Sequence, residues 1–500
     1  MNLNLSNKQV INESKYNRQI VSADKWKANN GIGILNLTMR FGKTYTGILI
    51  IQKVLKHIPS ATIVIIVPSI AIIDTWIDNL EIHGLNGRAN IRVVTAHQVL
   101  NAPNDEYMCT LKIVDEIHKF ISDERFKIIT GEKANSKFFL GLTGTLPSGK
   151  LLGDLTHYIP VVDVITEQEA IDNNWISDYT EYNLGLELGE EDKLRYIRFS
   201  EPIHDTLALF KNSCRLFETN NGAFLFKDDY EVIQSCATGK AVHNGYIQAN
   251  VLRNSLAEKM GWSKQLDMST EYGREREDIW NPIHIETRVK TFVSFVRRRT
   301  DIIHNNVIKL NAVLDIYSKF PNRTICFNES IMFAERVKEA IIYTLNKPAI
   351  SYHSKTESDY ILDSNGKSFT YISGLRAGEP KKFGKKKILE EMLNGMRTGK
   401  YNFLSTARAL DEGIDIPNLE QIITTAGSAN PIQYSQRKAR AQTVDIYNPG
   451  KIARIINLYF DDFVDSHGEY IRCRDKQKLR ARQRLSDSNA YWVEDINDIK

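Results

Sequence analysis

Residues 31–46 read Gly31-Ile-Gly-Ile-Leu-Asn-Leu-Thr-Met-Arg-Phe-Gly-Lys-Thr-Tyr-Thr46, and the rest of the chain is organised around them. Ile32, Ile34, Leu35 and Leu37 make a short apolar run that ends in Phe41-Gly42-Lys43-Thr44. From Thr46 to His57, Ile48, Leu49, Ile51 and Leu55 recur at helical spacing. Strand, tight loop, Gly-Lys-Thr and helix are the layout of a phosphate-binding loop. Backbone N–H groups at a helix N-terminus face the phosphates, the lysine reaches the β and γ groups, and the threonine hydroxyl holds Mg²⁺. The first glycine of the usual G-x-x-x-x-G-K-[ST] pattern falls at Leu37, and a bare Gly-Lys-Thr also opens ordinary helices. The downstream sequence decides between the two readings.

Bulk properties narrow the class. Five hundred residues correspond to about three domains. With 42% hydrophobic and 25% charged residues the composition is that of a globular protein. A net charge of +4 excludes a global polycation, so any nucleic-acid surface comes from local clusters of Lys and Arg. Cys109, Cys214, Cys236, Cys326 and Cys473 are scattered without a C-x-x-C pair, which argues against a disulfide framework and suits a reducing compartment. The N-terminus lacks an apolar signal core, and the most apolar stretch, Ala61 to Ile73, is too short to span a bilayer. The expectation is a cytoplasmic protein with no membrane association.

Strand–helix alternation continues after the loop. Ala61-Thr-Ile-Val-Ile-Ile-Val-Pro68-Ser69 is a β-branched run of the kind buried on both faces of a parallel sheet. Pro68 and Ser69 fall at its carboxyl end, where open α/β sheets place ligands. Ile91-Arg-Val-Val94 leads into Thr95-Ala96-His97-Gln98, and Leu111-Lys-Ile-Val114 into Asp115-Glu116-Ile117-His118. Paired carboxylates directly after an apolar strand fit a water-mediated metal ligand, Asp115, and a residue that orients and deprotonates attacking water, Glu116. Lys137-Phe-Phe-Leu-Gly-Leu142 runs into Thr143-Gly144-Thr145. Upstream, Gln19 either reads an adenine edge or is a surface glutamine at a helix start.

In order, Thr-Met-Arg-Phe-Gly-Lys-Thr, Ile-Val-Pro-Ser, Thr-Ala-His-Gln, Asp-Glu-Ile-His and Thr-Gly-Thr resemble motifs I, Ia, Ic, II and III of the superfamily 2 helicases and translocases, in the DExH subgroup. Within it, the chain is similar to phage recombination helicases of the UvsW type. The second half extends the resemblance. Arg323 to Ser330 resembles motif IV, and Asn402 to Pro417, with its Gly413-Ile-Asp415-Ile-Pro417 ending, resembles motif V. Gln433-Tyr-Ser-Gln436-Arg437-Lys438-Ala439-Arg440 resembles motif VI. Ala439 replaces a usual glycine and Thr443 a usual arginine, which implies slower or partner-dependent turnover unless Arg437 or Lys438 compensates.

The resemblance implies an α/β fold of two RecA-like parallel-sheet domains with a mainly helical insertion between them. The expected boundaries are 1–180 and 311–470 for the two domains, 181–310 for the insertion and 471–500 for a basic tail. It implies ATP and Mg²⁺ as cofactors. Lys43, Glu116, Gln436, Arg437 and Arg440, the last an arginine finger, would act in catalysis. Gln19, Arg40, Gly42, Lys43, Thr44, Gly413 and Asp415 would hold the nucleotide, and Thr44 and Asp115 the metal. Pro68, Ser69, Thr95, Ser330 and Thr406 would line a nucleic-acid track. The expected partner is DNA, with RNA or an RNA–DNA hybrid as alternatives, in a bacterial or phage-infected host cytoplasm. Lys240, Lys259, Lys264, Arg274, Arg276, Arg288, Lys290 and Arg297-Arg298-Arg299 in the insertion, and the Arg/Lys-rich stretch 472–484, grip a phosphate backbone or are solvated faces. Two other classes stay open: a duplex-translocating motor of a restriction or remodelling complex, and a nucleic-acid-binding protein with a degenerate ATP site.

Overall fold

The computed structural model describes residues 2–88, 90–147, 149–218, 224–242, 245–260, 282–357, 359–361, 368–372, 378–407, 416–428, 430–444, 448, 450–484 and 487–500. Gly413, Asp415, Lys264, Arg274 and Arg276 lie outside these residues. The chain divides into two compact units, 1–185 with 310–459 and 476–500, and 186–309 with 460–475.

The first unit holds two sheets. Strands β1 (Ile32–Leu37), β2 (Ile63–Val67), β3 (Ile91–Thr95), β4 (Cys109–Asp115), β5 (Ser136–Thr143) and β6 (Val161–Ile165) form one sheet in the order β3-β2-β4-β5-β1-β6, all parallel. The β-branched runs are buried on both faces, as parallel sheets require. Ile63, Ile65 and Val67 enter one core with Leu111, Ile113 and Trp76, while Val64 and Ile66 enter another with Val94, Val114 and Phe120. The parallel strand order puts the carboxyl ends of β1, β4 and β5 side by side, because β5 lies between the other two.

The second sheet is built from β7 (Asp178–Leu186), β8 (Thr324–Asn328), β9 (Ala349–Tyr352), β10 (Phe403–Ala407), β11 (Gln421–Thr424), β12 (Ile452–Phe460) and β13 (Ala490–Val493), in the order β9-β10-β8-β11-β12-β7-β13. Strand β7 joins this sheet, although the expected boundaries put residues from 181 onward in the helical insertion. The C-terminal stretch differs from expectation. Strand β13 pairs with β7 in parallel, Tyr491 opposite Tyr182, so residues 476–500 are part of the second domain rather than a separate tail. Their arginines are internal: Arg480 is 2% exposed and, with Arg484, pairs with the buried Glu181. The two readings offered for that stretch, a phosphate-gripping helix or a solvated one, both give way to a structural role for these two side chains.

The second unit is mainly helical, with helices Glu190–Leu209, Asp229–Thr238, Ala249–Lys259 and Pro282–His304 around a core of Ile203, Phe210, Val232, Leu256, Val289 and Phe292. It also claims residues 460–475, which the sequence reading divided at 470 between the second α/β domain and the basic tail. Two short strands there, Phe463–Val464 and Tyr470–Ile471, pair antiparallel, and Phe463 packs with Tyr196 and Ile302. No helix among the described residues is long and apolar enough to cross a membrane.

Candidate nucleotide site and nucleic-acid motifs

Strand β1 delivers the candidate phosphate loop, and two residues of left-handed backbone turn it: Arg40 at φ 66° and Gly42 at φ 104°. A Cβ at residue 42 would lie 2.6 Å from Gln19 Nε2, so glycine is needed for space as well as for conformation. The helix Lys43–His57 follows at once, Thr46 N–H donating to Gly42 O at 3.0 Å. Its first-turn amides have no acceptor within the helix, which leaves them for an anion. Thr44 is half-buried, and its hydroxyl makes no hydrogen bond among the described residues.

The loop is braced from outside. Gln19, 3% exposed, donates through Nε2 to Phe41 O at 3.0 Å. The fold thus gives Gln19 a bracing contact behind the loop, in place of the surface position that one reading allowed. Lys15 Nζ donates to Arg40 O at 2.9 Å and Trp175 O at 3.2 Å; burial, with Arg40 beside it, pushes its pKa down to about 8. Phe41 is fully buried edge-on to Trp175, with ring centroids 5.2 Å apart.

Lys43 Nζ reaches Glu116 Oε1 at 2.5 Å. The parallel register produces this meeting, since the loop after β1 and the turn after β4 are brought to one edge. Gly144, after β5, completes the floor: a Cβ there would stand 3.2 Å from Lys43 Nζ and 2.9 Å from Met39 Cγ. Motifs I, II and III therefore converge on one lysine.

Behind that pair Asp115 is 5% exposed, its Oδ2 accepting from Trp76 Nε1 at 2.9 Å and its Oδ1 from Glu116 N–H at 3.0 Å. Burial, reinforced by the Glu116 charge, raises its pKa to about 6. For Glu116 burial pushes upward too, but Lys43 and His118 outweigh it and hold the carboxyl below its ordinary range. Glu116 adopts φ 50°, a strained backbone for a residue with a Cβ. Its Oε2 is buried without a hydrogen-bond partner. His118 lies 3.4 Å from that oxygen and 2.9 Å from Thr143 Oγ1, whose own proton goes to Thr145 O at 2.8 Å. The hydroxyl therefore accepts from His118 Nδ1–H, which fixes the tautomer. Burial lowers the His118 pKa to about 4, so the ring is neutral at pH 7.

Sequence reading missed Trp76 and Lys15, and took His118 only as a letter of its motif. Trp76 was visible as an apolar position on a helix; its role arises because Gly47 leaves room for it, a Cβ there standing 2.7 Å from Trp76 Cη2.

From the second domain, the helix Pro431–Ala441 carries motif VI. Arg40 Nε donates to Ala439 O at 3.2 Å, so this helix abuts the phosphate loop. Ser177 N–H donates to Gln442 O at 2.8 Å and Ser177 Oγ to Thr443 O at 3.1 Å. Gln436 is half-buried and Arg440 is 8% exposed. Arg437 departs from its expected catalytic placement. It is 3% exposed, stacks on Phe327 at 4.8 Å, donates to Ala426 O at 3.1 Å and lies 3.5 Å from Glu329. Lys438 is held by Glu167 at 2.7 Å over the Tyr179 ring. Both candidates to compensate for Thr443 are thus committed inside the protein.

The expected nucleic-acid residues divide similarly. Pro68 and Ser69 are half-buried, with Ser69 preceding the helix Ile70–Ile82. Ser330 caps the helix Ile331–Leu345, accepting from Phe333 N–H at 3.3 Å. Thr95 is 8% exposed and caps its helix through Gln98, and Thr406 is fully buried with Oγ1 donating to Tyr352 O at 2.8 Å. The hydroxyls of Thr95 and Thr406 are structural, which removes both side chains from the expected track.

Residues 1–148 match the family described as type III restriction enzyme, res subunit, and residues 308–443 match the helicase conserved C-terminal domain. These matches, one in each half of the chain, support a superfamily 2 helicase. Among individual proteins, the chain is 22% identical over 473 residues to a Methanocaldococcus jannaschii protein provisionally named an ATP-dependent RNA helicase, the match covering 86% of this chain and 56% of that protein. The chain thus spans little more than half the length of that relative. A crystal structure of the Pyrococcus furiosus Hef helicase domain aligns with a TM-score of 0.45 and 15% identity, over 89% of this chain and 94% of that one.

Proposed function

We propose that this chain is an ATP-dependent motor on nucleic acid that hydrolyses ATP to ADP and phosphate. The observation that carries the reading is the 2.5 Å contact of Lys43 with Glu116 in front of the buried Asp115. The donor set fits a Mg²⁺-nucleotide: unspent first-turn amides, a free Thr44 hydroxyl, a lysine for phosphate oxygens and an unpartnered Glu116 oxygen. Lys43 would then exchange Glu116 for phosphate, freeing that carboxylate to accept a proton from water. Mg²⁺ would supply charge neutralisation from Thr44 and Asp115. Arg440 and Gln436, on the helix that meets the loop, would contribute from the second domain.

We further propose DNA as the substrate, branched or forked or carrying an R-loop, in a DExH-type recombination or repair context. The test is steady-state ATP hydrolysis alone and with single-stranded DNA, branched DNA and RNA. Stimulation by branched DNA that vanishes in Lys43→Ala and Glu116→Gln is the expected result. Preferential stimulation by RNA would replace DNA with the substrate class in the archaeal relative's name. A second reading, a duplex-translocating motor of a restriction complex, draws on the description of the first matched family; stimulation by unbranched duplex alone would favour it. The commitment of Arg437 to Glu329 and Ala426 favours a third, a binder with a degenerate site. Nucleic-acid binding with no hydrolysis under any condition would establish that one and overturn the motor.

A further inference from the structure

The helical unit contains a cavity of about 540 Å³. Helices Glu190–Leu209 and Pro282–His304 form one side and the short hairpin around 463–471 the other. Its wall includes Arg299, only 9% exposed. The one hydrogen bond Arg299 makes among the described residues is a long one, Nη1 to Ser200 Oγ at 3.4 Å, and its guanidinium stands 5.7 Å from the Tyr196 ring. No carboxylate among the described residues pairs with it. Buried charges are ordinarily paired, because desolvation otherwise goes uncompensated, and arginine does not escape by losing its proton.

The surroundings add positive charge. Arg472 and Arg474 are exposed and line the same cavity, and Arg474 is close enough to act, after burial, against the protonated form of Arg299. Their backbone is fixed by one hydroxyl: Tyr196 Oη donates to Arg472 O at 3.3 Å and accepts from Arg474 N–H at 2.8 Å. The lining acids do not answer Arg299. Asp465 is held in its own turn, its Oδ1 accepting from His467 N–H at 2.9 Å and Glu469 N–H at 2.8 Å. Glu201 and Glu469 stand exposed at the rim.

We propose that this cavity binds a phosphate ester, with its anionic oxygens on Arg299 and Arg474 and the ester group in the remaining space. A guanidinium fork presents paired donors that match two phosphate oxygens. The volume exceeds what inorganic phosphate fills and admits a nucleotide unit, with Tyr470 exposed on the wall as a stacking face. The ester belongs either to a nucleic-acid chain or to a free mononucleotide. The cavity shares no lining residue with the Lys43 loop, and the proposal stands whether or not ATP is hydrolysed.

The experiment uses the full chain without ATP. Binding of a fluorescent single-stranded oligodeoxynucleotide is measured by anisotropy over a salt series, and the melting temperature is measured with AMP and with inorganic phosphate. Variants are Arg474→Ala and Arg299→Gln. For a nucleic-acid ester, each variant weakens the oligonucleotide and lowers the log–log salt slope by about 1. For a free mononucleotide, the AMP-induced rise in melting temperature disappears in both variants while oligonucleotide binding is unchanged. Unchanged oligonucleotide affinity, salt slope and AMP response in both variants, or no response of the wild type to any probe, would overturn the proposal. Should Arg299→Gln fail to fold, the exposed Arg474→Ala decides alone.

Discussion

Removing the charge of Glu181 should loosen the second domain and its motif VI helix together. Glu181 is fully buried on β7 and accepts from Arg480 Nη2 at 3.1 Å, Arg484 Nε at 2.7 Å, Asn457 Nδ2 at 2.9 Å and the Tyr434 hydroxyl. Tyr434 belongs to the helix Pro431–Ala441, and the Arg480 guanidinium lies over its ring at 3.4 Å. In Glu181→Gln, Arg484 retains Asp487, whereas Arg480, 2% exposed, is left as a buried cation without a counter-charge. Stranding one partner of a buried pair costs about 3–5 kcal/mol. At about 2 °C per kcal/mol for a unit of this size, the melting temperature should fall by roughly 6–10 °C. Urea unfolding followed by circular dichroism gives the free energy directly. The double variant Glu181→Gln with Arg480→Met should recover most of the loss, because it removes the orphan charge as well. The sign with pH is also set. Burial raises the Glu181 pKa, but Arg484, Arg480 and the Tyr434 hydroxyl outweigh it, leaving it below its ordinary value. Its stabilisation is present above the unfolded carboxyl pKa of about 4.3 and is lost as pH falls through the lower folded value. The gap between wild type and Glu181→Gln should narrow over that acidic range. A single variant within about 1 kcal/mol of wild type, or a double variant no better than the single, would refute the reasoning.

Lys112 on β4 is 2% exposed, donates to Ile128 O at 2.6 Å, and has its pKa pushed down to about 8 by burial. The unfolded chain therefore holds more protons between pH 8 and the free lysine value of about 10.4, and the wild type should gain stability across that window. Lys112→Met should match or exceed wild-type stability at pH 7 and lack this rise, which melting temperatures against pH will check. Gly42→Ala should cost about 1–3 kcal/mol, since residue 42 sits at φ 104° with Gln19 Nε2 in the way of a Cβ; it should also depress ATP turnover, so denaturant titration and steady-state hydrolysis are measured together. Arg40→Ala removes the bond to Ala439 O. Limited proteolysis with and without nucleotide should then show easier cleavage between the two α/β domains, and an unchanged pattern would mean the contact does not hold them.

Local chemistry made much of this molecule legible. The run Ile63–Val67 read as a strand because consecutive β-branched residues without charge fit a sheet covered on both faces. Asp115-Glu116 read as a site because two acids after such a strand lack any packing role. Less legible were residues whose meaning is relational. Arg480 and Arg484 sit in a basic stretch that looks solvated until β7, some three hundred residues earlier in the chain, supplies Glu181. Arg437 carries the motif VI signature, yet its fork is claimed by Ala426 O and Glu329.

The sequence by itself determined the strand–helix alternation of the first domain, the position of the candidate phosphate loop and the identity of the lysine and acids proposed for it. Each depends on periodicity or on neighbours within a few residues, where side-chain chemistry and backbone preference act directly. Only the tertiary structure decided that β5 separates β1 from β4, that Trp76 holds Asp115, that His118 joins Glu116 to Thr143, and that residues 460–475 and 476–500 go to different units. Those outcomes depend on which distant segments share a core, and a charge or hydroxyl acquires its partner only when the chain has closed around it.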